Sequence, residues 1–179
     1  MRIISGGWRG RKLVAPEGQA TRPTADRVRE ALFSMLQSRI GSFEGLRIAD
    51  IFAGSGALGL EALSRGAAHC TFVEQDRAAI AALRVNIDAL EASADIRAAL
   101  AESIGSAVQP CDVIFLDPPY RSGLAETALP RLLKQGWMSP SCWISIETER
   151  DENIEIPGFS EDVTRAIGKA QITLLRPAS

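Results

Sequence analysis

The chain has 179 residues, 46% of them hydrophobic and 23% charged, with a formal net charge of −2. That composition describes one soluble globular domain with a sizeable core, and it excludes a disordered or fibrous chain. No apolar run is long enough to span a bilayer and residues 1–8 lack a signal-peptide core, so a cytoplasmic chain with no membrane partner is expected. The three cysteines, Cys70, Cys111 and Cys142, lie far apart at the edges of apolar runs, which suits buried thiols and offers no metal-ligand spacing. His69 is the only histidine. It reads as structural, and no His-based triad or metal centre is expected.

The charge is unevenly placed. Up to Arg47 there are nine basic residues against four acidic, a balance of +5, and the remainder carries 11 basic and 18 acidic, a balance of −7. Such asymmetry suits a polyanion-facing arm on an acidic body. The arm itself reads as a hairpin over residues 1–16. Arg2-Ile3-Ile4 and Lys12-Leu13-Val14 flank a glycine-rich turn that holds Trp8, Arg9 and Arg11. Glycines admit close approach, arginines contact phosphates, and an indole can stack on an unpaired base.

After Arg22-Pro23, a helix is expected to start with Thr24 as its N-cap and Asp26 in the first turn. Val28, Leu32, Met35 and Leu36 make its apolar face, with Arg27, Arg29 and Glu30 opposite. From Leu46 the pattern changes to strand–helix alternation. Strands are expected over 47–52, 70–74, 96–100, 112–117 and 143–147. Helices are expected over 58–65, 76–90 and 125–135, the last disturbed by Pro130. Two tail strands, 161–166 and 171–175, join tightly at Gly168-Lys169 and so run antiparallel. The whole predicts an α/β fold, a mainly parallel sheet with helices on both faces.

Two stretches carry chemistry. The first runs from Asp50 through Phe52, Ala53, Gly54, Ser55 and Gly56 to Gly59, between a strand and a helix, where such sheets bind cofactors. Gly54, Gly56 and Gly59 match G-x-G-x-x-G, a spelling shared by NAD and S-adenosylmethionine loops. Asp50 would repel a pyrophosphate and favour an ammonium or sulfonium. Glu74, at the end of the next strand beside Gln75, suits ribose hydroxyls in either case. Glu102 and Ser103, after the third strand, fall where an adenine would lie. No lysine follows the glycines, which excludes a Walker-type loop.

The second stretch is Asp117-Pro118-Pro119-Tyr120, closing the fourth strand. Read alone it is a strand followed by a proline turn. The prolines fix φ, hold the preceding residues extended and offer carbonyls without competing N–H donors. A carboxylate, rigid carbonyls and an aromatic face would hold a flat ring bearing an amino group.

Together with the glycine loop, Asp117-Pro118-Pro119-Tyr120 resembles the amino-methylating S-adenosylmethionine-dependent methyltransferases. Arg2-Ile3-Ile4-x-Gly6-Gly7-x-Arg9-Gly10-Arg11-Lys12-Leu13 and Arg22-Pro23-Thr24-x-Asp26-Arg27-Val28-Arg29-Glu30-Ala31-Leu32-Phe33 are similar to the RsmD-type family, which methylates guanine N2 of 16S ribosomal RNA. The resemblance implies a Rossmann-like seven-stranded sheet whose last strand is inserted antiparallel. It divides the chain into a basic extension, residues 1–20, and a methyltransferase domain, residues 21–179. It implies a cofactor site of Thr24, Arg27, Asp50, Phe52, Ala53, Gly54, Ser55, Gly56, Glu74, Gln75, Glu102 and Ser103. Asp117, Pro118, Pro119 and Tyr120 would hold the target base, and Arg2, Trp8, Arg9, Arg11, Lys12 and Arg22 the RNA. The expected partner is ribosomal RNA or a small-subunit assembly particle, met by a monomer. The same shelf would serve another planar amine, adenine N6 of DNA or a protein glutamine.

Overall fold

The computed structural model describes residues 1–18 and 23–179, leaving out the side chains of Pro23 and Thr24. Helix α1, Pro23–Ile40, is followed by β1, Arg47–Ile51, α2, Ala57–Ser64, β2, His69–Glu74, and α3, Arg77–Leu90. Then come β3, Ala94–Ala98, a 3-10 turn at Ala101–Ser103, β4, Cys111–Leu116, and α4, Leu124–Lys134. Strands β5, Met138–Glu149, β6, Phe159–Ile167, and β7, Ala170–Pro177, complete the chain.

The seven strands form one sheet in the order β3-β2-β1-β4-β5-β7-β6. Strands β1 to β5 pair in parallel, and β7 runs antiparallel between β5 and β6. The chain is therefore an α/β protein with the mostly parallel, Rossmann-like sheet the sequence predicts. One face packs α1, α2 and α3 through Phe33, Leu36, Leu60, Leu63, Phe72 and Leu83. The other packs α4 and the 3-10 turn through Ile104, Leu129, Leu132, Trp137, Ile144 and Ile146. Strands sealed on both faces read as continuous apolar runs, which is why Val113-Ile114-Phe115-Leu116 was legible as a strand.

Several expectations shift. Helix α1 already includes Pro23, a favoured first helical residue because its missing N–H would find no helical partner there. Thr24 therefore lies in the first turn instead of capping it. Arg29, expected on the exposed face, is 4% exposed. It donates to the Arg2 carbonyl at 2.5 Å and pairs with Asp26 at 3.1 Å, so the helix buries a guanidinium to hold the arm. Strand β3 begins two residues before the expected 96–100. Strand β5 starts at Met138, because a bulge between Cys111 and Val113 lets an irregular lead-in pair first. Helix α4 continues through Pro130, which stands on its exposed side.

The first residues are not a free appendage. Arg2 bridges Lys12, closing the expected hairpin, and Ile3 and Leu13 are buried in the core with α1 and α2. Glu61 of α2, fully buried, accepts the Ile4 and Ser5 N–H groups at 2.8 and 3.0 Å. Ser64 accepts from the Trp8 N–H at 3.0 Å, and its carbonyl accepts from Gly7 at 2.8 Å. The arm and the sheet share one core.

Candidate active site

Parallel strands bring their carboxyl ends to one edge, and the strand order reverses between β1 and β4. A crevice opens at such a switch point. At that edge the glycine loop follows β1, Glu74 ends β2, residues 117–120 follow β4 and Glu147 lies near the end of β5. The structure thus gathers the central residues of both predicted stretches.

The glycine loop is built from left-handed backbone. Phe52 has φ 64°, Gly54 φ 57° and Gly56 φ 83°. Left-handed Phe52 is costly for a residue with a Cβ, and such strain concentrates at functional sites. A Cβ on Gly54 would meet nothing within 4 Å, so the loop faces open space there. At Gly59 a Cβ would lie 2.4 Å from the Phe72 ring and 2.6 Å from Cys70 Sγ. The third glycine lets α2 press onto β2.

Two of the loop's N–H groups are held by carboxylates. Gly54 donates to Glu74 Oε2 at 2.8 Å, and Gly59 donates to Asp50 Oδ2 at 2.9 Å. Ala53 and Gly56 donate to backbone carbonyls. The flanking carboxyl groups of Asp50 and Glu74 disfavour a pyrophosphate at this loop. Glu74 Oε1 accepts from Gln75 and Asp76, while Oε2 keeps a lone pair for a hydroxyl.

Asp50 is 1% exposed. Burial raises its carboxyl to about 8, the Gly59 N–H works against the rise, and the nearby Glu74 charge adds to it. A folded pKa above the unfolded value contributes stability at low pH that is lost as pH rises toward about 8. Asp50→Asn is therefore expected to gain on the wild type in melting temperature between pH 5 and pH 8. Equal melting curves at both pH values would refute it.

On the far side of the switch point, Pro118 is buried while Asp117, Pro119 and Tyr120 reach solvent. Asp117 is open to water on one side and crowded by protein on the others. That crowding raises its pKa first, and the charges of Glu147 and then Asp50 add to the rise. Its solvent contact tempers the effect. Tyr120 donates its hydroxyl to Glu147 Oε1 at 3.1 Å.

The remaining predicted residues lie on other elements. Glu102 and Ser103 form the 3-10 turn after β3; Ser103 is exposed, and its hydroxyl turns back to the Leu100 carbonyl at 3.4 Å. Arg27 is exposed on α1 and Gln75 on the β2–α3 turn. Arg22 lies outside the described residues, as does the side chain of Thr24. Arg2, Arg9, Arg11 and Lys12 are exposed, and among the described residues none is in an ion pair. Arg2 and Arg11 donate to the carbonyls of Gly10 and Ala89. Trp8 is partly exposed, with the rest of its ring packed against the core.

Three residues missed from the sequence organise the site. Buried Asn86 donates to the carbonyls of Val14 and Ser55, both at 2.9 Å, and accepts from the Val14 N–H at 2.7 Å. It ties the arm to the glycine loop. The signal was present, one amide on the apolar face made by Leu83, Ile87 and Leu90. Glu61 was likewise the one acid in the apolar helix ALGLEALS. Glu147 followed Ile144-Ser145-Ile146 at a strand end.

The family profile described as Conserved hypothetical protein 95 matches residues 1–176. Ribosomal RNA small subunit methyltransferase D of Haemophilus influenzae is 42% identical over 163 residues, 88% of this chain and 83% of that protein. Its Escherichia coli namesake is 43% identical over 157 residues, 86% and 77% of the two chains. A solved Escherichia coli structure described as a methyltransferase superposes with a TM-score of 0.86 at 39% identity, covering 99% of this chain and 97% of that one. Matched along nearly its whole length, the chain belongs to the RsmD family of methyltransferases.

Proposed function

We propose that the chain transfers a methyl group from S-adenosylmethionine to the exocyclic N2 of a guanine in small-subunit ribosomal RNA. The observation that carries this is the placement of residues 117–120 across the switch point from a glycine loop whose Gly54 and Gly59 N–H groups are held by Glu74 and Asp50. Relatives named for small-subunit rRNA methylation support the substrate.

Asp50, the loop at 52–56 and Glu74 would hold the cofactor, which supplies an electrophilic methyl on a sulfonium. The chain's residues handle the amine. A guanine N2 lone pair is delocalised into the ring and is a weak nucleophile. Asp117 and the Pro118 carbonyl accept hydrogen bonds from its N–H groups, favour a pyramidal nitrogen and stabilise the positive charge that develops there as the methyl–sulfur bond breaks. The amine then loses a proton to Asp117 or water. Tyr120 stacks on the base and keeps the nitrogen in line with the methyl group. The base must leave its stack to arrive. Phosphate contacts from Arg9, Arg11 and Lys12 offset that cost and make binding salt-dependent.

The test is methyl transfer from labelled S-adenosylmethionine to unmodified small-subunit RNA, offered naked and as a particle, followed by digestion to nucleosides. N2-methylguanosine is the expected product; label in adenine, DNA or protein alone overturns the reading. The double variant Arg9→Glu with Lys12→Glu should bind RNA more weakly and flatten the log–log salt slope by about two. An unchanged slope would remove the arm from the interface.

A further inference from the structure

We propose that Glu147 is a positioning residue for methyl transfer, holding the Tyr120 ring in place over the target-base shelf from the end of β5. The inference rests on the reading of residues 117–120 as that shelf.

Tyr120 is 47% exposed and lies in the turn after β4, outside strand pairing. Neither core packing nor backbone pairing fixes its ring. Its hydroxyl bond to Glu147 is what does so. The next residue is gripped from the same side. Arg121, left-handed at φ 53°, donates its N–H to Glu152 Oε1 at 3.2 Å, and its guanidinium pairs with Glu149. Glu152 Oε2 in turn accepts from the Glu149 N–H at 3.1 Å. Three carboxylates on β5 and the segment after it thus hold two consecutive residues of the turn.

A surface hydrogen bond at this length could be incidental, but the acceptor's surroundings make it specific. Glu147 is largely enclosed and pairs in register with Ile172, a core residue of β7. An apolar side chain would be cheaper there, since an enclosed carboxylate costs free energy unless it is partnered. Among the described residues its one hydrogen-bond partner is the Tyr120 hydroxyl. Burial raises the Glu147 carboxyl, and the phenol bond offsets part of that rise.

Register also places Glu147 beside Asp117. Leu116 pairs with Ile146, so Asp117 and Glu147 come next on neighbouring strands, on the face of Phe115 and Ser145. The groups around this pair are Tyr120 from the turn, Asp50 from β1 and Glu149 from β5, with Arg121 paired to Glu149. Glutamine at 147 keeps an acceptor for the phenol and removes a negative neighbour of Asp117. Asp117 then ionises at lower pH, and the acid limb of the pH–rate profile moves down.

Tyr120 is the chain's only tyrosine, so labelling with 13C-tyrosine reports one ring. Glu147→Ala is expected to shift and broaden the ring signals and to lower kcat roughly tenfold, with the KM for S-adenosylmethionine unchanged. Glu147→Gln should restore the ring signals and most of kcat, with the acid limb moved to lower pH. Tyr120→Phe should lose as much as Glu147→Ala, and the double variant no more than either. Wild-type signals and kcat in Glu147→Ala, or losses that multiply in the double variant, would overturn the proposal. The Gln and Phe variants are near-isosteric and test it if the alanine variant misfolds. A wild-type chain that leaves guanine unmethylated overturns the functional reading instead, and the ring signals still decide whether Glu147 holds Tyr120.

Discussion

Replacing Tyr120 by alanine is expected to lower methyl transfer by about a hundredfold or more, a size typical of lost alignment between reacting atoms. The affinity for S-adenosylhomocysteine should stay near that of the wild type, because Tyr120 follows β4 while the glycine loop and Glu74 follow β1 and β2. The expectation comes from geometry. Pro118 and Pro119 set the backbone rigidly, but backbone carbonyls alone do not orient a flat base about its own plane. A stacked ring does. Single-turnover rates measured beside homocysteine-analogue affinity separate the two effects. Normal turnover in the alanine variant would remove Tyr120 from base positioning. A parallel loss of cofactor affinity would place the ring on the wrong ligand.

The second large effect concerns stability. Glu61 is fully buried, accepts from the Ile4 and Ser5 N–H groups, and pairs with Arg65 at 3.0 Å. Arg65 in turn lies over the Phe33 ring, 4.5 Å from its centroid. Glu61→Ala strands a guanidinium and two N–H groups at once. Breaking a buried pair from one side costs about 3–5 kcal/mol. In a domain of this size that lowers the melting temperature by roughly 10 °C. Thermal unfolding followed by circular dichroism reads it directly, and a drop of under about 3 °C would show that water reaches the site. Glu61→Gln, which keeps an acceptor, should lose less. The same contacts make deletion of the arm a poor assay of RNA binding, because truncation opens the core around Ile3 and Leu13. Charge reversal at Arg9 and Lys12, both exposed, avoids that.

The fold was legible where burial and local chemistry agree. The apolar runs of β1, β2 and β4, sealed on both faces, announced themselves, and so did the glycine loop between β1 and α2. The tight link at Gly168-Lys169 marked β6 and β7 as antiparallel. Boundaries were less legible where pairing decides them. The lead-in of β5 holds Ser139, Pro140 and Ser141, poor strand formers, and it is extended because Met138 pairs with Cys111 across a bulge. Arg29 shows the same limit. Its charge argued for solvent, yet the arm's carbonyl and Asp26 reward its burial. Of the site, residues offering chemistry directly were legible: Asp50, the glycines, Glu74 and residues 117–120. Residues that hold others in place were not. Asn86, Glu61 and Glu147 each gain their meaning from a partner distant in sequence, and spacing within one element does not reveal it.

Synthesis order gives the docked arm a kinetic meaning. Its residues are made well before their hydrogen-bond partners: Glu61 is 57 positions beyond Ile4, and Asn86 is 72 beyond Val14. Closing loops of that length costs entropy that local contacts cannot repay in advance. The arm therefore stays unfixed until Glu61 and Asn86 have been made, and contacts this distant slow the final assembly. This basic segment thus meets the surroundings well before it finds its place. Until then, its positive charge is free to meet whatever polyanion lies nearest.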